Sequence, residues 1–353
     1  MNEHRPLTKK KSTPEDTVSK IKTLRRQEIS VDTLTEGIFK GDKALLAKAI
    51  TLLESTQPAH FEKANAVVEK CLSRSVESIR LGITGVPGVG KSSFIETLGT
   101  TLTSLGKKVA VLAVDPTSSL SKGSILGDKT RMQTLSNDPN AFIRPSPSGS
   151  SLGGVAQKTR ESIMLCEAAG YDVILVETVG VGQSEVAVHS MVDFFLLLKL
   201  SGAGDELQGI KRGIMEMADA IAINKADGSN LEHAKLAVTE FRRALHLYPP
   251  KENGWVPKVM KCSATENTGI KEIWNMVEDF VRQNKQNGFF EKNRKNQNKN
   301  WFLQTVDDYL KQFFHQKPAF IKVQNELLKD IEENKVSPFY AAKLLLDKIT
   351  KEL

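Results

Sequence analysis

The stretch GITGVPGVGKSSF, residues 82–94, constrains this chain more than any other. Four glycines and a proline precede a single Lys-Ser-Ser, an apolar run leads in, and a helical pattern from Phe94 to Leu105 leads out. Gly85, Gly90, Lys91 and Ser92 fit GxxxxGK[ST] in the strand-to-helix setting that motif requires. Such a loop turns backbone N–H groups inward and joins a helix N-terminus. Gly85, Val86, Pro87, Gly88, Val89, Gly90, Lys91, Ser92 and Ser93 are therefore expected to cradle phosphate. Lys91 is expected to reach the β- and γ-phosphates, and the Ser92 hydroxyl to hold Mg²⁺. A plain glycine turn would need neither Lys nor Ser at those positions.

Three further signals follow in order. VILVETVG puts Glu177 at the end of a buried strand, where a carboxylate can accept from Mg²⁺-bound water, and Gly180 where an N–H can meet a γ-phosphate. VAVLAVD does the same with Asp115, and ligands of open parallel sheets lie at such carboxyl ends. INKAD, residues 223–227, fits the guanine-reading NKxD pattern. The Asp227 carboxylate can accept from guanine N1–H and the 2-amino group; adenine offers neither donor, and a site built on those bonds rejects it. Asn224 is expected to tie the base edge to the phosphate loop and Lys225 to cover the ring face. In CSAT, residues 262–265, Ser263 and Ala264 complete the base pocket, with the Ala264 N–H as the candidate donor to guanine O6. GTP and GDP, with Mg²⁺, are the expected ligands.

From residue 80 onward short apolar runs alternate with amphipathic segments, which predicts an α/β fold: a P-loop domain with a mainly parallel sheet, flanked by N-terminal and C-terminal helical extensions. The runs are LGIT, VAVLAV, DVILVE, DFFLLLKL, DAIAIN and PKVMKCS. The expected division is a flexible basic tail over 1–30, a helical layer over 31–78, the nucleotide domain over 79–286, and a helical dimerisation arm over 287–353. The arm carries Trp301, Phe302, Val306, Tyr309, Leu310, Phe313 and Phe314 at helical spacing, a stripe that needs a covering surface. The net charge is +7, yet residues 1–26 hold eight basic and three acidic side chains and residues 284–300 hold five and one. The remainder is near neutral, which removes the case for a nucleic-acid face. Cys71, Cys166 and Cys262 are scattered without a CxxC pair, fitting a reducing cytoplasm. No apolar run reaches the ~18 residues that span a bilayer, so no membrane partner is expected. His189 is a lone histidine, and no metal-ligand role is assigned to it.

The blocks DPTSSLSKGSILGDKTRM (115–132), RPSPSGSSLGGVAQKTRE (144–161), ETVGVGQSE (177–185) and GAGDELQGIKRGIMEMAD (202–219) resemble the signatures of the methylmalonyl-CoA mutase-associated GTPases, the MeaB/ArgK family within the SIMIBI class. The resemblance covers roughly residues 32–315. It implies a homodimeric, cytoplasmic GTPase that chaperones an adenosylcobalamin-dependent acyl-CoA mutase, gating cofactor loading and protecting or rescuing the enzyme. It maps the Mg²⁺-linked residues to Ser92, Asp115, Asp128 and Glu177. It maps mobile switches to about 115–131, 177–190 and 202–212, with Asp205, Gln208 and Lys211 as the residues that rearrange. Catalysis then falls to Lys91, Asp115, Glu177 and Lys211, without a dedicated general base. Two departures from the family pattern are Lys199, inside an apolar strand, and Ser201, where proline is common; they predict a wetter strand edge there. A P-loop kinase linked to amino-acid transport and a nickel-insertion GTPase of the same class are the alternatives. The guanine-reading NKxD speaks against the first, and the absence of a His- or Cys-rich tract against the second.

Overall fold

The computed structural model describes residues 29–74, 77–114, 132–145, 152–178, 184–202 and 212–350. Seven strands form one sheet: β1 (Ile79–Gly85), β2 (Val109–Val114), β3 (Ala141–Arg144), β4 (Val173–Thr178), β5 (Phe194–Lys199), β6 (Ala220–Ile223) and β7 (Lys258–Lys261). Their order is β3-β2-β4-β1-β5-β6-β7 and every pairing is parallel. Six of the strands are the six apolar runs. The seventh, β3, is AFIR, bounded by Asn140 and Arg144 and not among the expected runs.

Alternation along each strand divides the core in two. On one face Leu81, Ile83, Val109, Val111, Val173, Leu175, Phe194 and Leu196 pack under α4 (Lys91–Ser104) and α10 (Ile270–Gln286). On the other, Ala110, Leu112, Ile174, Val176 and Phe195 meet α1 (Val31–Phe39), α2 (Lys43–Glu54), α3 (Pro58–Leu72), α6 (Leu152–Ala168) and α7 (Ser184–His189). Between these, α5 (Gln133–Asn137) precedes β3, and its first turn is held by Glu96, which accepts from the Thr134 and Leu135 N–H groups. Further along, α8 (Arg212–Met217) and α9 (Leu231–Leu245) pack beside β6 and β7. The first helices start where short polar side chains can cap them. Ser30 Oγ accepts from the Thr33 N–H, and Asp42 Oδ1 from those of Ala44 and Leu45.

The amino-terminal edge of the sheet is fastened by ion pairs. Glu167 on α6 accepts two bonds from the Arg80 guanidinium, each 2.8 Å, and Asp193 accepts from Arg294 at 2.8 and 2.7 Å and from the Arg80 N–H at 2.8 Å. Arg294 belongs to α11 (Phe289–His315), so this cluster also docks the carboxyl-terminal helices. Farther out, Phe61 meets Tyr309 edge-on, and α12 (Pro318–Glu332) packs with α13 (Pro338–Thr350). Large apolar groups on these helices stay in solvent, Phe302 at 67% and Phe339 at 89% exposure among them.

One expectation is corrected. Lys199 does not mark a wet strand edge: β5 lies between β1 and β6, and the lysine is only 2% exposed. Among the described residues no helix is long and apolar enough to cross a membrane.

Candidate nucleotide site

The phosphate loop runs from the end of β1 to the start of α4, at the carboxyl edge of the sheet. Two glycines are required by close approach. A Cβ on Gly85 would stand 2.7 Å from the Leu198 carbonyl oxygen. Gly90, at φ +92°, is left-handed, and a Cβ there would stand 2.7 Å from Asn224 Nδ2. Lys91 opens α4 and is buried. Its Nζ donates to the carbonyls of Gly85 (2.8 Å) and Val86 (3.3 Å). Burial pushes its pKa below the usual lysine value, while the charges of Glu177 and Glu185 pull it back up. An ammonium held by neutral carbonyls in a buried site is one that anionic phosphate oxygens bind strongly.

Ser92 Oγ donates to Glu177 Oε1 at 3.2 Å, which joins the loop to the end of β4. One strand position further, Thr178 Oγ1 donates to Thr84 Oγ1 at 2.8 Å, tying the ends of β4 and β1 together. The hydroxyl and carboxylate are hard oxygen donors of the kind Mg²⁺ takes, and that ion is held by one or two carboxylates plus phosphates rather than by a full protein cage. The described residues contain no group of three or more His, Cys, Asp or Glu that could hold a metal. Asp115, Asp128, Gly180, Asp205, Gln208 and Lys211 lie outside the described residues.

The base-reading residues sit beside the loop. Asn224 is 1% exposed; its Nδ2 donates to the Val89 carbonyl at 2.9 Å, and its Oδ1 accepts from the Ala264 N–H at 3.3 Å and from the Cys262 thiol at 3.6 Å. Lys225, at φ +56°, extends over the loop and donates to the Gly88 carbonyl at 2.9 Å. Asp227 is half-buried and accepts a short bond from the Ser263 hydroxyl through Oδ2. Ser263 is itself fixed by exchange of backbone bonds with Thr268. The Ala264 N–H, the sequence candidate for guanine O6, is turned to Asn224 Oδ1 over a long bond that an incoming carbonyl oxygen can share.

Sequence reasoning did not assign Thr97, Asn230 or Glu185 to the site, and it named Ser201 only as a departure from the family pattern. Thr97 Oγ1 on α4 donates to the Ala264 carbonyl at 2.8 Å and so aligns the Ser-Ala turn with the loop helix. Ser201 Oγ donates to Asn230 Oδ1 at 2.6 Å, and Asn230 Nδ2 to the Lys225 carbonyl at 2.6 Å, which holds Lys225 in its left-handed turn. Glu185, on α7, is 3% exposed with Oε2 unbonded among the described residues. Nothing in the bare sequence marks Glu185 as buried, since it lies at the start of a short helix. His189, at the other end of α7, packs edge-on against Phe195, and burial pushes its pKa down.

Residues 46–319 match the family described as Methylmalonyl Co-A mutase-associated GTPase MeaB. The chain is 45% identical to GTPase ArgK of Escherichia coli, over 88% of this chain and 95% of that protein. It is 44% identical to the mitochondrial methylmalonic aciduria type A homolog of Mus musculus, over 91% of this chain and 80% of that one. Among solved structures, a LAO/AO transport system kinase superposes with TM-score 0.74 at 37% identity, covering 92% of this chain and 99% of that chain.

Proposed function

Because this chain belongs to the methylmalonyl-CoA mutase-associated GTPase family and is a P-loop GTPase, we propose that it uses GTP hydrolysis to gate adenosylcobalamin loading onto an acyl-CoA mutase of the methylmalonyl-CoA type, and to protect or reactivate that enzyme. The observation that carries the nucleotide part is the bond from Asn224 to the Val89 carbonyl. It joins the guanine-reading segment to the phosphate loop, so base and phosphates are recognised by one rigid unit. The mutase part rests on the family match.

In this reading Lys91 exchanges its loop carbonyls for β- and γ-phosphate oxygens. Ser92 and Glu177, with Asp115 and Asp128, would hold Mg²⁺, and the ion would supply charge neutralisation to the phosphates. Gly180 contacts the γ-phosphate. Asp205, Gln208 and Lys211 form the segment that converts γ-phosphate presence into partner affinity, because only contacts that differ between the two states can do so. The protein works in the cytoplasm as a homodimer paired through the apolar faces of α11 to α13, where Phe302, Leu310 and Phe339 stand in solvent in the single chain.

The decisive measurement is the GTPase rate with and without an adenosylcobalamin-dependent acyl-CoA mutase. The wild-type rate is expected to rise with the mutase. Lys211→Ala and Gln208→Ala are expected to keep intrinsic hydrolysis within about tenfold, ~1.4 kcal/mol, and to lose most of the acceleration. A wild-type rate indifferent to any such mutase rejects the chaperone reading. The superposed LAO/AO transport system kinase favours a second reading, phosphoryl transfer to an acceptor. It predicts labelled phosphate on a product other than water, which the same assay detects.

A further inference from the structure

The opposite end of the sheet carries a cavity of about 300 Å³, bounded by α3, α6 and α11. This is at the lower limit of small-ligand pockets. Two of its arginines are neutralised from within: Arg80 by Glu167 and Arg294 by Asp193. Arg160 is not. Its Nη1 donates to Gln304 Oε1 at 2.9 Å and its Nη2 to Ser190 Oγ at 2.7 Å, both neutral acceptors, and its Nε is buried with no partner among the described residues. Burial pushes its pKa down, and among the described residues no carboxylate acts against that shift. At the rim Arg74 and Lys295 add two positive charges against the single carboxylate of Glu291, which leaves the cavity with an excess of two.

A half-buried guanidinium without a counter-charge carries part of the cost of a buried one, and an anion that supplies the charge recovers it. The missing charge is two, that of a phosphate monoester near neutral pH. The free N–H of a planar fork suits its oxygens. One acceptor is also unpartnered there. Gln297 Nε2 donates to the Val192 carbonyl, while its Oε1 is buried without a bond among the described residues, a place for a ligand hydroxyl.

We propose that this cavity binds a small hydroxylated phosphate monoester, its phosphate on Arg160 with Lys295 at the mouth and its hydroxyl on Gln297. The site is independent of the nucleotide site, which lies at the other edge of the sheet.

The test uses the full chain saturated with GDP and Mg²⁺, so that the phosphate loop is filled, and titrates glycerol 3-phosphate by calorimetry. Saturable binding of one molecule per chain is expected. Arg160→Met and Lys295→Glu should each weaken it by about tenfold or more, with GDP affinity unchanged. Glycerol and succinate should bind at least about tenfold more weakly than the phosphate ester. Absence of saturable binding up to about 10 mM overturns the proposal. So does binding retained in Lys295→Glu, an exposed position that decides the matter even if Arg160→Met fails to fold. Succinate bound as tightly as the ester overturns the assignment to phosphate.

Discussion

At the amino-terminal edge of the sheet Arg80 and Arg294 meet Glu167 and Asp193 in two-pronged pairs, and every prong is 2.7 or 2.8 Å long. At the carboxyl edge Lys91 is as well buried, yet it rests on two backbone carbonyls, with Glu177 and Glu185 acting on it through space. The first arrangement is complete in itself and fastens helices to strands. The second uses neutral partners that a phosphate can replace. Charge satisfied by opposite charge marks structure; charge parked on main-chain oxygen marks a place for a ligand.

The sharpest way to break this contrast is to remove one cation from each edge. Arg294→Ala leaves Asp193, whose side chain is only 2% exposed, without its principal counter-charge. It should cost about 3–5 kcal/mol of unfolding free energy, read by denaturant titration, with nucleotide affinity of the folded protein intact. Lys91→Ala should do the reverse: stability equal or higher, and GTP turnover lower by at least ~100-fold. If both variants lose stability alike, the contrast fails.

A narrower test stays at the carboxyl edge. Asp227→Asn keeps an oxygen for the Ser263 hydroxyl but replaces an acceptor with a donor. Guanine nucleotides should bind about 100-fold more weakly and xanthine nucleotides more tightly, as competition calorimetry would show. Unchanged guanine preference would remove Asp227 from base reading.

The smallest effect concerns His189, on α7 between the two edges. Burial lowers its pKa, with Asp219 opposing and Lys251 reinforcing that shift. Below its ordinary value of 6.5 the unfolded chain therefore takes up a proton more readily than the folded one. Stability should fall as pH drops below that value. His189→Gln should flatten this part of the stability profile; a wild-type slope retained in the variant would place the acid sensitivity elsewhere.

The two edges also differed in how far the sequence revealed them. Lys91, Ser92, Asn224 and Asp227 lie in contiguous motifs, because loops that wrap a ligand draw their ligands from a few neighbouring residues. Apolar runs of four to eight residues likewise announced six of the strands, while AFIR, bounded by Asn140 and Arg144, was not among them. Arg80, Glu167, Asp193 and Arg294 are scattered over more than two hundred positions. Each alone reads as a solvated surface charge, and only the packing of α6 and α11 against β1 makes them one cluster. The burial of Lys199 was hidden for a related reason: a single charge in an apolar run signals an edge until the strand order is known.

The contact between Gly90 and Asn224 bears on how such a protein can change over generations. Any side chain at position 90 would collide with the amide at position 224, so neither site can drift unless the other moves with it. A lineage altering its choice of base through position 224 would disturb the loop that grips the phosphates, and its intermediates would lose both. Base identity and phosphate grip are thereby inherited together, although 133 residues of chain lie between the two positions.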